Sequence, residues 1–419
     1  MEPWKKNLYI LWIAQVFSLM GFGFALPFIP FYFQELGVTD PDRLRILVGV
    51  SSALPAALMG IMALVWGALS DKIGRKLMIL RALLAGALII GGLGLAKNVE
   101  TVLVLRAAQG LLTGTMTAAI TLVAAGTPRH RLSYALGIIT SSNFIGFSFG
   151  PFVGGFTAEY LGYRTSFFIG GTLLLFAFFL VLFGVKELGV RKLSKKSVPA
   201  EEGKDKQPIS EPAQLPGEAF SLKMIFRQPL LLGFILIFFM RFLRAFSQPF
   251  LPLYFQEMIG RLEGASVITG TVAGLVGLAS AAAGITLSRL GDTHDKITLI
   301  QIFICISAFV SFPLFLVRGL IPFTIFLVIT QFFMGGIEPL LSSILGEHTP
   351  PERRGIVFGI QTFIGSMGWF LSPLVGSTIS VGLGIRYIFL SSTIGIILVF
   401  FIILFFNHNH STRKKRGGS

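Results

Sequence analysis

Apolar residues in this chain stand in long runs, without the two-residue alternation of strands or the one-sided stripe of soluble helices. Twelve such runs are read at residues 8–33, 46–69, 76–96, 99–125, 133–158, 165–185, 229–256, 265–288, 297–317, 320–345, 355–379 and 386–406. A helix rises about 1.5 Å per residue, so roughly twenty apolar residues cross a hydrocarbon core about 30 Å thick. Each run therefore predicts one membrane-spanning helix. The first is too long for the core of a signal peptide and lacks a small-residue cleavage site, so it is read as a retained span.

The pattern then repeats. Pro27, Phe28, Pro30, Tyr32, Phe33, Gln34 and Glu35 return as Pro249, Phe250, Pro252, Tyr254, Phe255, Gln256 and Glu257, at an offset of 222 residues. The same offset carries Gln109 and Gly114 onto Gln331 and Gly336, and Gly137, Gly146, Gly150, Pro151 and Gly154 onto Gly359, Gly368, Ser372, Pro373 and Gly376. An offset constant over this length means two tandem units in the same orientation. The predicted fold is an all-α membrane protein, with twelve transmembrane helices in two pseudo-symmetric six-helix bundles. Its expected units are an N-terminal bundle over 1–186, a linker over 187–223, a C-terminal bundle over 224–406 and a basic tail over 407–419.

Composition closes off the soluble alternative. Of 419 residues 53% are hydrophobic and only 13% charged, more apolar surface than a soluble domain of this size can bury. The single cysteine, Cys305, provides neither a disulfide framework nor a metal cluster. A net charge of +15 would suit nucleic acid, but its distribution excludes that reading. Twenty-four of the Lys and Arg residues fall in the termini and alternate connections, seven in the other connections and four within spans. The positive-inside rule then places both termini and the long middle segment in the cytoplasm of a cell-membrane (inner-membrane) protein. The middle segment reads as a flexible tether with a short amphipathic stretch near 220–226, and the closing Gly-Gly-Ser is open to two readings, native or added.

Four groups of residues carry candidate chemistry. In the fifth run Ser142, Gly146, Gly150, Gly154 and Ala158 recur every four residues, a smooth stripe down one helix face. Small stripes let helices approach closely in lipid, and Pro151 marks a bend. Gly137, Gly146, Gly150, Pro151 and Gly154, with Gly368, Pro373 and Gly376, are expected to form the seam between the bundles. In the connection after the second run, Gly67, Asp71, Gly74, Arg75 and Lys76 suit either a conformational latch or a solvated basic loop. Glu338 lies well inside the tenth run, where a carboxyl must be protonated or paired; it is the expected proton site, with a structural hydrogen bond as the alternative. Arg106 is its candidate counterpart in the other half, or helix-to-helix glue. Arg241 and Arg244 lie three apart on one face of the seventh run and have no basic mates in the first half. They either pair Glu338 or lend the cavity a positive field for anionic or zwitterionic substrates. Gln15, Asn143, Gln331, Gln361, Phe239 and Phe246 are the expected cavity lining.

The segment Gly67-Ala-Leu-Ser-Asp-Lys-Ile-Gly-Arg-Lys76 resembles the cytoplasmic signature of the major facilitator superfamily. A degraded copy, from Ser288 to Lys296, stands at the matching place in the second half. The glycines and proline of Gly137–Gly155 resemble that family's antiporter motif at every position, and Arg106, Gln109, Gly110 and Gly114 resemble its fourth-span motif. The resemblance implies a twelve-span drug:proton antiporter, with Arg106 in proton coupling. The expected activity is export of drug-like amphiphiles by proton antiport through alternating access. Exporters of one endogenous metabolite, sugar or lipid, or a non-transporting receptor or scaffold, are the alternatives. No Walker loop, nucleophile triad or metal-ligand cluster is legible, so neither an enzyme nor a cofactor is expected. The expected partners are a small-molecule substrate, protons and the bilayer, with no nucleic acid, and the expected working unit is a monomer.

Overall fold

The computed structural model describes residues 2–128, 131–187, 228–350 and 354–416. The tether and its amphipathic stretch, together with the final Gly-Gly-Ser, lie outside the described residues. Twelve helices are long and apolar enough to cross a membrane: spans 1 to 12 are Trp4–Glu35, Pro41–Ala63, Arg75–Leu93, Val99–Gly126, Tyr134–Leu161, Tyr163–Gly184, Leu230–Ile259, Ala265–Leu290, Lys296–Leu316, Leu320–Glu347, Val357–Leu383 and Arg386–Phe406. They match the twelve apolar runs to within a few residues. The helix of span 2 continues to Ile73, and that of span 12 to Arg416. An even number of crossings puts both chain ends on one face, here termed the terminal face.

Local chemistry sets where the helices start and break. Asp40 caps span 2, its carboxylate accepting the backbone N–H groups of Asp42 and Arg43, which satisfies two otherwise orphaned donors. Span 1 changes to a tighter 3₁₀ turn over Leu26–Phe28, at Pro27, before Ile29–Glu35 resumes; span 7 does the same over Gln248–Phe250, at Pro249. A proline supplies no backbone donor, so the repeated break follows the repeated sequence. Spans 5 and 11 run unbroken through Pro151 and Pro373. Span 4 does break, between Leu112 and Met116, where Gly114 adopts φ +107°. Its repeat mate Gly336 stays inside an unbroken helix.

Packing follows the repeat as well. Span 5 lies on span 1 as span 11 lies on span 7, and span 2 lies on span 4 as span 8 lies on span 10. Between the halves, span 5 packs against span 8 and span 11 against span 2, two contacts that exchange under the same repeat. Tyr32, Phe28, Phe33, Phe167, Phe255 and Phe323 are fully buried among the helices. Leu88, Phe183, Phe309 and Ile321 are more than two-thirds exposed, an outward apolar surface that suits hydrocarbon.

The seam between the halves differs from the expectation. Gly146 lies against Leu19, Gly150 is within 2.9 Å of Met20 backbone at the place a Cβ would occupy, and Gly154 is 2.8 Å from Phe24 on the same measure. These three pack against span 1 of their own half. Gly368 and Gly376 meet span 7, at the Phe238 carbonyl and the Phe250 ring, and a Cβ on Gly137 would touch nothing within 4 Å. The glycine stripe thus closes each bundle internally, span 5 turning its smoothest face to span 1 and span 11 to span 7 of the same unit. The carbonyl oxygens of Pro151 and Pro373 face Gly270 and Gly49 across the halves. The rest of the seam comes from the other face of span 5. Gly155 stands 2.6 Å from the Ser266 carbonyl by the same Cβ measure, and Ser148 fills the notches at Gly274 and Gly277.

Candidate functional site

Arg241 and Glu338 meet between spans 7 and 10. The guanidinium donates from Nε at 2.9 Å and from Nη2 at 2.5 Å, both to Glu338 Oε1. Gly365 leaves room for Arg241 alongside span 11, and Trp369 places its indole 5.0 Å from the guanidinium carbon. The side chains are 15% and 30% exposed, so the pair is partly accessible. Of the two roles read from sequence for the arginines, Arg241 takes the pairing one. Arg244, one turn further along the same face, lies within electrostatic reach of both members.

Arg106 sits elsewhere. Only 7% exposed, it donates from Nε to the Ser51 carbonyl at 2.8 Å and from Nη1 to Gln109 Oε1 at 2.5 Å. It borders a small cavity of about 30 Å³ between the halves, walled by Pro27, Pro30, Ser51, Pro249 and Pro252. The structure does not bring Arg106 and Glu338 into contact: the arginine is held wholly within the first half.

Three expected lining residues are corrected. Gln15 is 1% exposed and accepts from the Thr115 hydroxyl at 2.9 Å, tethering the break in span 4. Gln361 is 6% exposed and donates to Ser342 Oγ, linking spans 11 and 10. Phe246 is 2% exposed, stacked on Phe242 in the core. Each satisfies a partner inside a bundle, so none faces the interior space. Asn143, Gln331 and Phe239 are half-buried; Asn143 donates to the Thr140 carbonyl of its own helix.

The loop between spans 2 and 3 is clamped from an unexpected direction. Gly74, at φ +102°, makes the turn, and the carboxylate of Glu187, just beyond span 6, then accepts the backbone N–H of Arg75 at 3.0 Å and of Lys76 at 2.7 Å. That is a cap on the positive end of span 3. Lys76 Nζ donates to the Leu182 carbonyl and Arg75 Nη1 to the Thr121 carbonyl, while a Cβ on Gly67 would meet nothing within 4 Å. The Asp71 side chain lies outside the described residues. Replacing Glu187 with Ala orphans both amides and is expected to cost about 1 kcal/mol of stability, read as a lower melting temperature of the purified protein. An unchanged melting curve would show that the cap contributes nothing.

The two faces of the molecule are sealed differently. Gln34 and Gln256, repeat mates 222 residues apart, exchange two amide hydrogen bonds of 2.8 and 2.9 Å on the face away from the termini. The Arg45 guanidinium donates to the Ser380 carbonyl, the Gly264 amide to Glu159, and the Tyr163 and Ser266 hydroxyls meet, all on that face. Among the described residues these are the hydrogen bonds that cross between the halves, and all of them lie at this one end.

A family model described as the Major Facilitator Superfamily matches residues 11–329 and 264–419. This chain belongs to that superfamily. It is 29% identical over 412 residues to "Multi-drug resistance efflux pump PmrA homolog" of Lactococcus lactis, covering 98% of this chain and 97% of that protein. It is 28% identical over 413 residues to "Multidrug resistance protein MdtG" of Klebsiella pneumoniae, covering 99% and 94%. Among solved structures, a bacterial homolog of the human lysosomal transporter Spinster, in an inward-facing and occupied conformation, superimposes with a TM-score of 0.77 at 13% identity, covering 97% of this chain and 98% of that one. The superfamily member described here is thus a multi-pass membrane transporter of small molecules related to multidrug efflux pumps, and not an enzyme.

The sequence offered the Arg241–Glu338 pairing as one of two roles for the arginine and did not place Trp369 beside it. Sequence reasoning missed Glu187, which reads as the first residue of a polar tether, and the span 8 seam, whose signal is the spacing of Gly270, Gly274 and Gly277.

Proposed function

We propose that the protein exports drug-like amphiphiles in exchange for protons, with its terminal face in the cytoplasm of a cell-membrane protein. The observation that carries this reading is the Arg241–Glu338 pair. It is the one acid set well inside a span among the described residues, it is partly accessible, and its Oε2 is free of hydrogen bonds. A carboxylate in that setting is able to hold either a proton or its arginine, which gives the cycle two states of different local charge. The names of the multidrug relatives support the substrate breadth. Rocking of the halves about the span 5–span 8 and span 2–span 11 seams would expose the interior to each face in turn, and the Gln34–Gln256 latch would hold the outer face shut in the arrangement described. Arg106, held on Ser51 and Gln109 beside the small cavity, is assigned to sensing that movement between the halves.

Inside-out vesicles carrying an imposed proton gradient, followed with a pH-sensitive dye, test the reading. Several chemically unrelated amphiphiles are expected to discharge the gradient only when the protein is present. Discharge by a single compound class would instead support a dedicated exporter, and no discharge by any compound would overturn proton exchange.

A further inference from the structure

Five charged side chains stand well inside the spans: Arg81, Arg106, Arg241, Arg244 and Glu338. A guanidinium away from water is costly unless something meets its charge or its donors, so the partner of each is informative. Arg81 lies over the Trp66 indole, 3.4 Å from the ring centre. Arg106 has the Ser51 carbonyl and Gln109. Arg241 has Glu338 Oε1 and Trp369.

Arg244 has none of these. It is half-buried and makes no hydrogen bond or ion pair among the described residues. Glu338 Oε2 is in the same condition: both bonds from Arg241 end on Oε1, and Oε2 is not sealed. A half-buried cation without a partner therefore stands one turn from Arg241, whose own partner keeps one carboxylate oxygen without hydrogen bonds, and the 38% exposed indole of Trp369 lies against the same pair.

We propose that this is a receptor for a zwitterionic amphiphile, its carboxylate on Arg244, its ammonium on Glu338 Oε2 and its apolar body against Trp369. The proposal rests on the efflux reading and names the substrate class for the same site. A plain anion fits the exchange less well. By drawing Arg241 away from Glu338 it would leave that carboxylate readier for a proton, so anion and proton would bind together; exchange requires that they oppose each other. An ammonium on Oε2 occupies the place a proton would take, and the opposition follows. A plain cation meets the carboxylate but makes no use of Arg244.

The test is equilibrium binding to the purified full-length protein in detergent, read by dansyl fluorescence. Three probes share one ring: Nε-dansyl-lysine is the zwitterion, its methyl ester the cation and its Nα-acetyl derivative the anion. The zwitterion is expected to bind about ten-fold more tightly than either of the others, the worth of one added charge-assisted contact. Arg244→Gln is expected to bring the zwitterion down to the level of the ester while leaving the ester unchanged, and Arg244→Lys to keep most of the preference. Equal binding of ester and zwitterion, an equal loss of all three probes in Arg244→Gln, or no binding of any probe to the wild type would each overturn the proposal. Should Arg244→Gln fail to fold, the wild-type comparison and Arg244→Lys still decide it. Proton discharge by cationic or neutral amphiphiles in vesicles would leave the efflux reading standing in every one of those cases.

Discussion

Glu338→Gln is expected to reduce proton-coupled exchange to the background of vesicles lacking the protein. The amide keeps the volume and one acceptor for Arg241, but it neither takes up a proton in this range nor carries the charge that answers the guanidinium. Removing one member of a buried pair costs about 3–5 kcal/mol because the other is left unpaired; here the side chains are 15% and 30% exposed, so the structural loss falls well short of that range. Loss of exchange through misfolding has a different signature. The double variant Arg241→Gln, Glu338→Gln removes both charges and is expected to regain the thermal stability lost by the single variant, yet to remain uncoupled. If Glu338→Gln retained full proton release as amphiphile is added, the proton would have to travel on another group, and the assignment of Glu338 would fall.

How much of this was legible beforehand depended on distance along the chain. The span limits and the repeat are local or periodic signals, and the paired breaks at Pro27 and Pro249 follow directly from residues visible at both places. Arg241 and Glu338 stood out singly, since charge inside an apolar run is conspicuous, but their pairing across 97 residues depends on how spans 7 and 10 pack. The glycine stripe shows why a correct pattern produced a wrong partner. Spacing reveals that Gly146, Gly150 and Gly154 share a face, and nothing in the spacing says which helix that face meets. Gln15, Gln361 and Phe246 were misplaced for a related reason: polarity and aromaticity identify residues fit to line a cavity, whereas Thr115, Ser342 and Phe242 claim them inside the bundles. Glu187 was hidden by its neighbours, because composition describes a polar segment as a whole and a cap is the act of one carboxylate.

Gly270→Leu is expected to abolish transport while leaving the protein in the membrane. A Cβ at that position would run into the Pro151 carbonyl oxygen and crowd Gly155, backbone atoms on a packed helix with no free rotamer to move aside. Overpacking of a close-fitted contact commonly costs about 1–3 kcal/mol. Gly270 lies near the end of span 8 that carries the cross-half hydrogen bonds, where the two helices meet backbone to backbone, so the bulk is expected to weigh most on the arrangement in which the face away from the termini is shut. The population should therefore move toward the opposite opening, and the Gln34–Gln256 latch should part. With Cys305 replaced by Ser, a cysteine in place of Ser266, which is fully buried in the same seam and leaves the latch glutamines intact, reports this directly: in the otherwise wild-type background its reaction with a membrane-impermeant maleimide is expected to be slow, and with Gly270→Leu at least about ten-fold faster, corresponding to a shift near 1.4 kcal/mol. Gly359→Ala, where a Cβ would meet nothing within 4 Å, is the matched control and should change neither labelling nor transport. Unchanged labelling in Gly270→Leu would mean that the seam tolerates bulk there, and that closure of this face does not depend on the backbone contact between spans 5 and 8.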